Sequence, residues 1–360
     1  MRTVLHTESS GGHGGQEIRT LAEARWLLGH GWGALIACQP DSPLFAEAKA
    51  ASIPVEPVRM RGATDLGAAL RLRRLIRERG VSVVHTHSSV DSWLAGVAAK
   101  SLGRPVVRTR HVSIPIRRRR ALVYRLADRI ITSGESVRSI VIAAGIAPEH
   151  VVTISAGVDA DRFHSGVSGN TVRAELGLGS APVVGLVANV RGSKGHNVFL
   201  EAARTVLASV PGARFLIVGD GVGFDEVSRR VREMGLDASV RLTGFRRDIP
   251  QVMAALDVLV LPSIRSEAIP QVIPQALAVG TPVVASTVGG SPELIRDGEN
   301  GRLVPPGNAR GLADAILALL REPERARAMA RAGQAMVRER YTIDATMART
   351  TAVYRELVGA

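Results

Sequence analysis

The chain holds one cysteine in 360 residues, Cys38, so no intramolecular disulfide can form and the composition fits a reducing compartment. Aromatic residues are also scarce, at 3%. With so few stacking platforms and no DNA- or RNA-binding motif, a nucleic-acid partner is disfavoured. No apolar run approaches the roughly 18 residues of a membrane span, and the apolar stretch in the opening MRTVLHTESSGG is too short for a signal peptide. The expected location is therefore cytoplasmic, with any contact peripheral, at the inner face of the cell membrane. Acidic residues are also in deficit: 33 Asp+Glu stand against 46 Lys+Arg, a net charge of +13.

That excess is uneven. Residues 1–165 contain 23 Lys+Arg against 14 Asp+Glu, and the remainder 23 against 19. One cluster, Arg71, Arg73, Arg74, Arg77 and Arg79, reads as the solvated face of a helix whose buried face is Leu72, Leu75 and Ile76. The other, Arg117, Arg118, Arg119 and Arg120, places four like charges in a row and points to an anionic partner such as phospholipid headgroups or a phosphate-bearing acceptor.

At 46% hydrophobic and 22% charged, the chain is ordinary globular protein, and its length exceeds what one core usually supports. Apolar runs near 3–7, 33–38, 81–86, 105–110, 129–132 and 151–154 alternate with helical patterns such as 16–29 and 69–78. A second series follows near 183–188, 214–219, 239–243, 257–261 and 283–286. Such alternation specifies α/β domains, each a doubly wound parallel sheet covered on both faces. The small, polar stretch 165–180 reads as the linker. It divides the chain into 1–165 and 166–340, with a helical tail over 341–360.

The most informative segment is 257–293, DVLVLPSIRSEAIPQVIPQALAVGTPVVASTVGGSPE. It reads as a strand, an acidic turn at Glu267, a helix over 275–279 closed by Gly280, and a second strand, which is a βαβ unit. Glu267 thus sits at the carboxyl end of a parallel strand, the edge where open α/β sheets bind ligands. Upstream, Lys194 lies in Asn189-Val190-Arg191-Gly192-Ser193-Lys194-Gly195, between a strand and a helix, where a lysine can act as a point charge on phosphate. The first strand-to-helix turn, Gly11-Gly12-His13-Gly14-Gly15, lets backbone N–H groups approach an anion at a helix N-terminus. A dinucleotide fingerprint does not fit this turn: counted from Gly12, its third glycine falls on Glu17. Counted from Gly219, it falls on Phe224.

Taken together, these motifs resemble the retaining glycosyltransferases of family 4, and the resemblance spans nearly the whole chain. It implies the GT-B fold: two Rossmann-like domains facing a cleft, an N-terminal acceptor-side domain and a C-terminal nucleotide-sugar donor domain, with the C-terminal helix crossing back to the first. The family signature is Glu, seven residues, Glu. Here Glu267 holds the first position, and Gln275 replaces the second. By resemblance, Glu267 and the amides of Ala268 and Ile269 hold the donor sugar, Gln275 the ribose, Lys194 and Arg191 the diphosphate, and Gly14 and Gly15 face that diphosphate. His111 matches the family's active-site histidine, which contacts the sugar. The family commonly has an arginine where this chain has Asn189.

The implied reaction moves a sugar from a nucleoside diphosphate sugar to a hydroxyl of a glycan or lipid-linked acceptor, with retention, and the implied context is lipopolysaccharide, capsule or exopolysaccharide biosynthesis. A catalytically silent nucleotide-sugar-binding relative is the alternative, given Gln275 and Asn189. No cofactor is expected beyond the co-substrate, and no metal, because Lys194, Arg191 and helix amides already supply positive charge. Asp159-Ala160-Asp161 reads as structural. His85 and His87, two apart on a strand, share a face; no third or fourth metal ligand is spaced to match them, and they read as packing or acceptor-side residues.

Overall fold

The computed structural model describes residues 1–359 apart from His13 and Ser266, and it leaves the side chains of Arg118, Arg119 and Arg120 outside the described set. Two compact units form. One comprises Met1–Gly157 with Ile343–Ala360, the other Val158–Thr342.

In the first unit, seven strands, β1 (Thr3–Glu8), β2 (Gly33–Cys38), β3 (Val55–Pro57), β4 (Val81–Thr86), β5 (Val106–Arg110), β6 (Arg129–Thr132) and β7 (Val151–Thr153), pair in the order β3-β2-β1-β4-β5-β6-β7. All pairings are parallel. The order reverses between β1 and β4, so the crossover helices leave these neighbours toward opposite faces and uncover the sheet edge between them. Alternation along each strand fills both faces: Val4 joins a core with Leu27, Ile36 and Tyr354, while Leu5 joins one with Leu72, Ile76 and Val84. The helix Ile343–Val358 belongs to this unit, with Tyr354 fully buried.

The second unit repeats the plan with six strands, β8 (Val183–Val187), β9 (Arg214–Val218), β10 (Val240–Gly244), β11 (Val258–Leu261), β12 (Val283–Ser286) and β13 (Arg302–Val304), ordered β10-β9-β8-β11-β12-β13 and all parallel. Here the order reverses between β8 and β11. Phe215 and Ile217 of β9 pack on one face with Phe199, and Leu216 and Val218 on the other with Leu259 and Ile273.

Three readings of the sequence change. The strands β3 (VEP) and β13 (RLV) were not evident: each has three residues with a charged one among them, so neither makes an apolar run, and β3 ends in Pro57. The stretch 165–180 is not the linker: it carries the helix Asn170–Glu175, and Gly169 packs so closely that an added Cβ would lie 2.3 Å from Ala255 N. The division falls instead at Gly157 and Val158. The segment Arg118–Leu126 is 3₁₀ rather than an α-helix over 121–126. It contains no acidic residue to pair with its arginines four positions away, a pairing that would favour the α form. Among the described residues, no helix is long and apolar enough to cross a membrane.

Gly195 fixes the loop after β8. Its φ is +73°, and a Cβ there would lie 1.9 Å from the Pro262 carbonyl oxygen at the end of β11. Gly195→Ala should cost about 2–3 kcal/mol through backbone strain and this clash, read as a Tm lower by about 5–10 °C. Gly192→Ala, where a Cβ meets nothing within 4 Å, should leave Tm within a degree or two, and equal losses in the two variants would show that the close approach is not limiting.

Candidate functional site

In the second unit, the loops leaving β8 and β11 meet at the uncovered edge. A backbone bond joins them, Ile264 N–H donating to the Ser193 carbonyl at 2.9 Å, and a second, Val190 N–H to the Asp220 carbonyl at 2.9 Å, ties the β8 loop to the chain after β9. The chain after β8 makes a 3₁₀ turn, Gly192–Lys194, and then Gly195 caps the helix His196–Ser209. That turn brings Lys194 Nζ to 2.6 Å from Glu267 Oε1. Ser263 Oγ donates to the same carboxylate oxygen at 2.5 Å. The side chains are 13% and 6% exposed, so each charge has its partner where water is scarce. Ser263 was not singled out by sequence, since a serine before an acidic turn carries no motif of its own.

The turn after β12 holds Glu267 and its successors in place. Gly289, at φ +54°, approaches so closely that a Cβ would stand 1.9 Å from the Glu267 carbonyl oxygen, and one on Gly290 would stand 2.2 Å from that of Ala268. Ala268 and Ile269 are thereby pinned. Gln275 is half-buried on the helix Val272–Val279. Arg191 is exposed, and Asn189 packs on the neighbouring turn, its Oδ1 2.5 Å from where a Cβ on Gly221 would be. Gly221, at φ +149°, is what admits it.

The first unit also gathers polar groups at its uncovered edge, between β1 and β4. His6 Nδ1 lies 2.9 Å from His87 Nε2, and His87 Nδ1 lies 3.1 Å from His111 Nε2. His85 is bonded separately, through Nδ1 to the Tyr354 hydroxyl and through Nε2 to Thr109 Oγ1, each at 2.6 Å. His85 and His87 do share a face, with ring centroids 4.4 Å apart. From the helix Gly15–Gly29, Arg19 Nε donates to Glu23 Oε1 at 2.6 Å, and Arg19 Nη1 to the Ile154 carbonyl. Burial pushes His6 down to about 4 and holds His85, His87 and His111 well below the ordinary histidine range, so these rings are neutral at neutral pH.

One expectation is corrected here. Further metal-ligating groups do accompany His85 and His87: His6, Glu23, His85 and His87 each bring a ligand atom within 4.8 Å of the others. They come from three separated segments, which local spacing cannot reveal. Yet both nitrogens of His85 and of His87 are already hydrogen-bonded, and Arg19 holds Glu23. The arrangement fits a neutral hydrogen-bonded network better than a dication beside a guanidinium. Asp159 folds onto its own turn, accepting from Asp161 N–H at 3.1 Å.

Two carboxyl groups escaped the sequence reading. Asp91 accepts from Thr7 Oγ1, His87 N–H and Ser88 N–H at 2.8–3.0 Å, tying β1 to the turn after β4. Its signal was the Ser88-x-x-Asp91 capping box of the helix Ser89–Lys100. Glu8 accepts from Ser10 N–H and from Gln16, and burial, with the nearby Asp91 charge, raises it to about 8. The glycine turn itself differs from expectation in one respect. Gly14 N–H is taken by Glu17 Oε2 at 2.9 Å, whereas a Cβ on Gly15 would meet nothing within 4 Å. Among the described residues, nothing near position 15 calls for glycine on steric grounds.

Comparison with known proteins agrees with this architecture. Residues 13–162 match the model of Glycosyltransferase Family 4, and residues 181–322 that of Glycosyl transferases group 1. The chain is 30% identical over 298 residues to a D-inositol 3-phosphate glycosyltransferase of Segniliparus rotundus, covering 76% of this chain and 66% of that one. It is 29% identical over 258 residues to an Escherichia coli UDP-Gal:alpha-D-GlcNAc-diphosphoundecaprenol alpha-1,3-galactosyltransferase, covering 67% and 66%. Matches of this kind thus span about two thirds of the relative's length or less. Among solved structures, Anabaena HepE in complex with UDP superposes with a TM-score of 0.90 at 24% identity, covering 99% of this chain and all of that one. A glycosyltransferase from Rickettsia africae superposes with a TM-score of 0.92 at 21% identity, covering 99% of each. With both family models matched in order, one on each doubly wound sheet, the chain belongs to the family 4, group 1 glycosyltransferases and has the GT-B fold.

Proposed function

We propose that the protein transfers a glycosyl group from a nucleoside diphosphate sugar to a hydroxyl acceptor with retention at the anomeric carbon, without a metal ion, in the assembly of a bacterial surface glycan. The observation that carries this reading is the buried Lys194–Glu267 pair at the β8/β11 edge. An ammonium has three N–H donors, and Glu267 takes one, which leaves Lys194 able to meet phosphate oxygens without giving up its partner. The bond from the anomeric carbon to the phosphate oxygen breaks as the acceptor oxygen bonds the same face. The acceptor's proton passes to the departing phosphate. Lys194, with Arg191, offsets the charge that grows on the diphosphate; Glu267 and the Ala268 and Ile269 amides take sugar hydroxyls; Gln275 takes the ribose. Of the first unit, we assign His111 to the donor sugar, Gly14 and Gly15 to the diphosphate, with Gly15 the open position, and His85 and His87 to the acceptor side as supports. The E. coli relative, named for a UDP-sugar and a lipid diphosphate acceptor, supports a nucleotide-sugar donor and a lipid-linked acceptor.

We also propose peripheral contact with anionic membrane. Arg117 is exposed, and Ile114 and Leu122 beside it are 66% and 52% exposed, an apolar and basic combination suited to a lipid surface. The side chains of Arg118, Arg119 and Arg120 lie outside the described residues.

Lys194→Gln keeps a donor for Glu267 and removes the charge. It should lower kcat by about two orders of magnitude, and Tm by several degrees because Glu267 loses its cation, so rates are compared well below the variant's Tm; turnover within threefold of the parent would place the phosphate contact elsewhere. Exhaustive chelation with EDTA should leave the rate unchanged, and a loss restored by Mg²⁺ or Mn²⁺ would overturn metal independence. Replacing all four arginines 117–120 by glutamine should release the protein from anionic liposomes at about 0.1 M salt while sparing transfer to a soluble acceptor analogue. Equal sedimentation of parent and variant would leave the run as a solvated loop.

A further inference from the structure

Three imidazoles from three strand ends form one hydrogen-bonded line: His6 in β1, His87 just past β4, and His111 just past β5. A neutral imidazole has one donor and one acceptor nitrogen. His87, with both nitrogens engaged by other histidines, must therefore donate through one and accept through the other. Its neighbours then have no independent choice of tautomer, and the line as a whole has two arrangements. Either every ring donates toward His6, or every ring donates toward His111.

The buried end decides between them. Among the described residues His6 Nε2 has no hydrogen-bond partner, and neither does Glu23 Oε2, which lies 4.0 Å from His85 Nδ1, although both are buried. A ring nitrogen of His6 and a carboxylate oxygen of Glu23 lie within 4.8 Å. Arg19 is the competing neighbour, with an unpartnered Nη2, but its Nε and Nη1 are committed to Glu23 Oε1 and to the Ile154 carbonyl. The Glu23 charge acts on His6 more strongly than the Arg19 charge does. A buried carboxylate nearby stabilises a proton on the ring nitrogen that the other histidines leave free, Nε2.

We propose that His87 and His6 are positioning residues that hold His111 in the Nε2–H tautomer, so that His111 presents an unprotonated Nδ1 and acts as a hydrogen-bond acceptor toward substrate hydroxyls. His111 Nε2–H donates to His87 Nδ1, His87 Nε2–H donates to His6 Nδ1, and His6 Nε2–H is directed to the Glu23 side. Asp91 supports the line by holding the His87 backbone N–H at 2.8 Å. His85 stays outside it, its two nitrogens taken by Tyr354 and Thr109. This proposal rests on the reading of His111 as a sugar contact for its catalytic consequence, but the tautomer itself does not depend on that reading.

The test is two-bond ¹H–¹⁵N correlation on the full chain with ¹⁵N-labelled histidine, His111 being assigned by its loss in His111→Gln. The parent should show a protonated Nε2 and an unprotonated Nδ1 at His111. In His87→Leu the signal should shift toward a mixture of tautomers, with kcat lower by about 10- to 100-fold. His87→Asn places an amide oxygen near the Nδ1 position and should restore both the tautomer and most of the rate. A protonated Nδ1 at His111 in the parent, or a tautomer unmoved in His87→Leu, would overturn the proposal, as would stoichiometric bound metal with ring nitrogens shifted by coordination. If His87→Leu does not fold, the parent spectrum and His87→Asn still decide. A tautomer that responds while kcat does not would count against the sugar-contact reading of His111 alone, whereas Lys194→Gln tests the transferase reading without touching this line.

Discussion

The polar clusters at the two uncovered sheet edges depend on one constraint of parallel sheets. A strand can be followed by a parallel neighbour only through a right-handed crossover, and a run of crossovers covers one face. Covering both faces requires the order to reverse once, and at that point two adjacent strands lead to helices on opposite faces, leaving the edge between them uncovered. In this chain the reversals fall at β1/β4 and β8/β11. Lys194 and Glu267 are 73 positions apart, and His6 and His87 are 81 apart; the reversals bring each pair into hydrogen-bond range. The backbone of the strands beneath is already satisfied by the ladder, so a buried polar side chain there needs partners only for its own atoms.

Glycine serves two different purposes around these edges. Gly195, Gly289 and Gly290 let loops press together, with the nearest foreign atom about 2 Å from where a Cβ would be. Those contacts fix the height of Lys194 and of Glu267 above their strands, which lets a lysine with four rotatable bonds be held in one geometry. Gly15 and Gly192 have free space instead. Bare backbone beside open space is what a phosphate needs in order to reach N–H groups at the start of a helix.

The strands of both cores were legible because long apolar runs between turn residues have few alternative readings, and the Glu267 turn was legible because a βαβ unit places it. Lys194 could be placed in its loop, but its direct bond to Glu267 could not, since pairing across 73 positions depends on strand order rather than spacing. The same reason hid His6 and Glu23 beside His85 and His87. Glu8 and Asp91 escaped because their raised affinity for protons comes from burial, for Glu8 with the Asp91 charge added, and burial is a tertiary property. The break between units was misplaced since small, polar residues at 165–180 mark a surface turn as readily as a linker.

The two edges solve the cost of burying polarity in opposite ways. At β8/β11 full charges are kept and paired, an arrangement with a large desolvation penalty that Ser263 and the close geometry offset in part. At β1/β4 the histidines lose their charge, and direction is kept through hydrogen bonds between neutral rings. Arg19 and Arg108 lie close enough to oppose any added proton on His111, so neutrality there is enforced by charge as well as by burial. An ion pair with spare N–H donors matches a ligand that carries charge, and neutral imidazoles with a fixed tautomer match hydroxyls, which carry none. The proposed assignment of the diphosphate to Lys194 and of a sugar hydroxyl to His111 is in keeping with that difference in electrostatics.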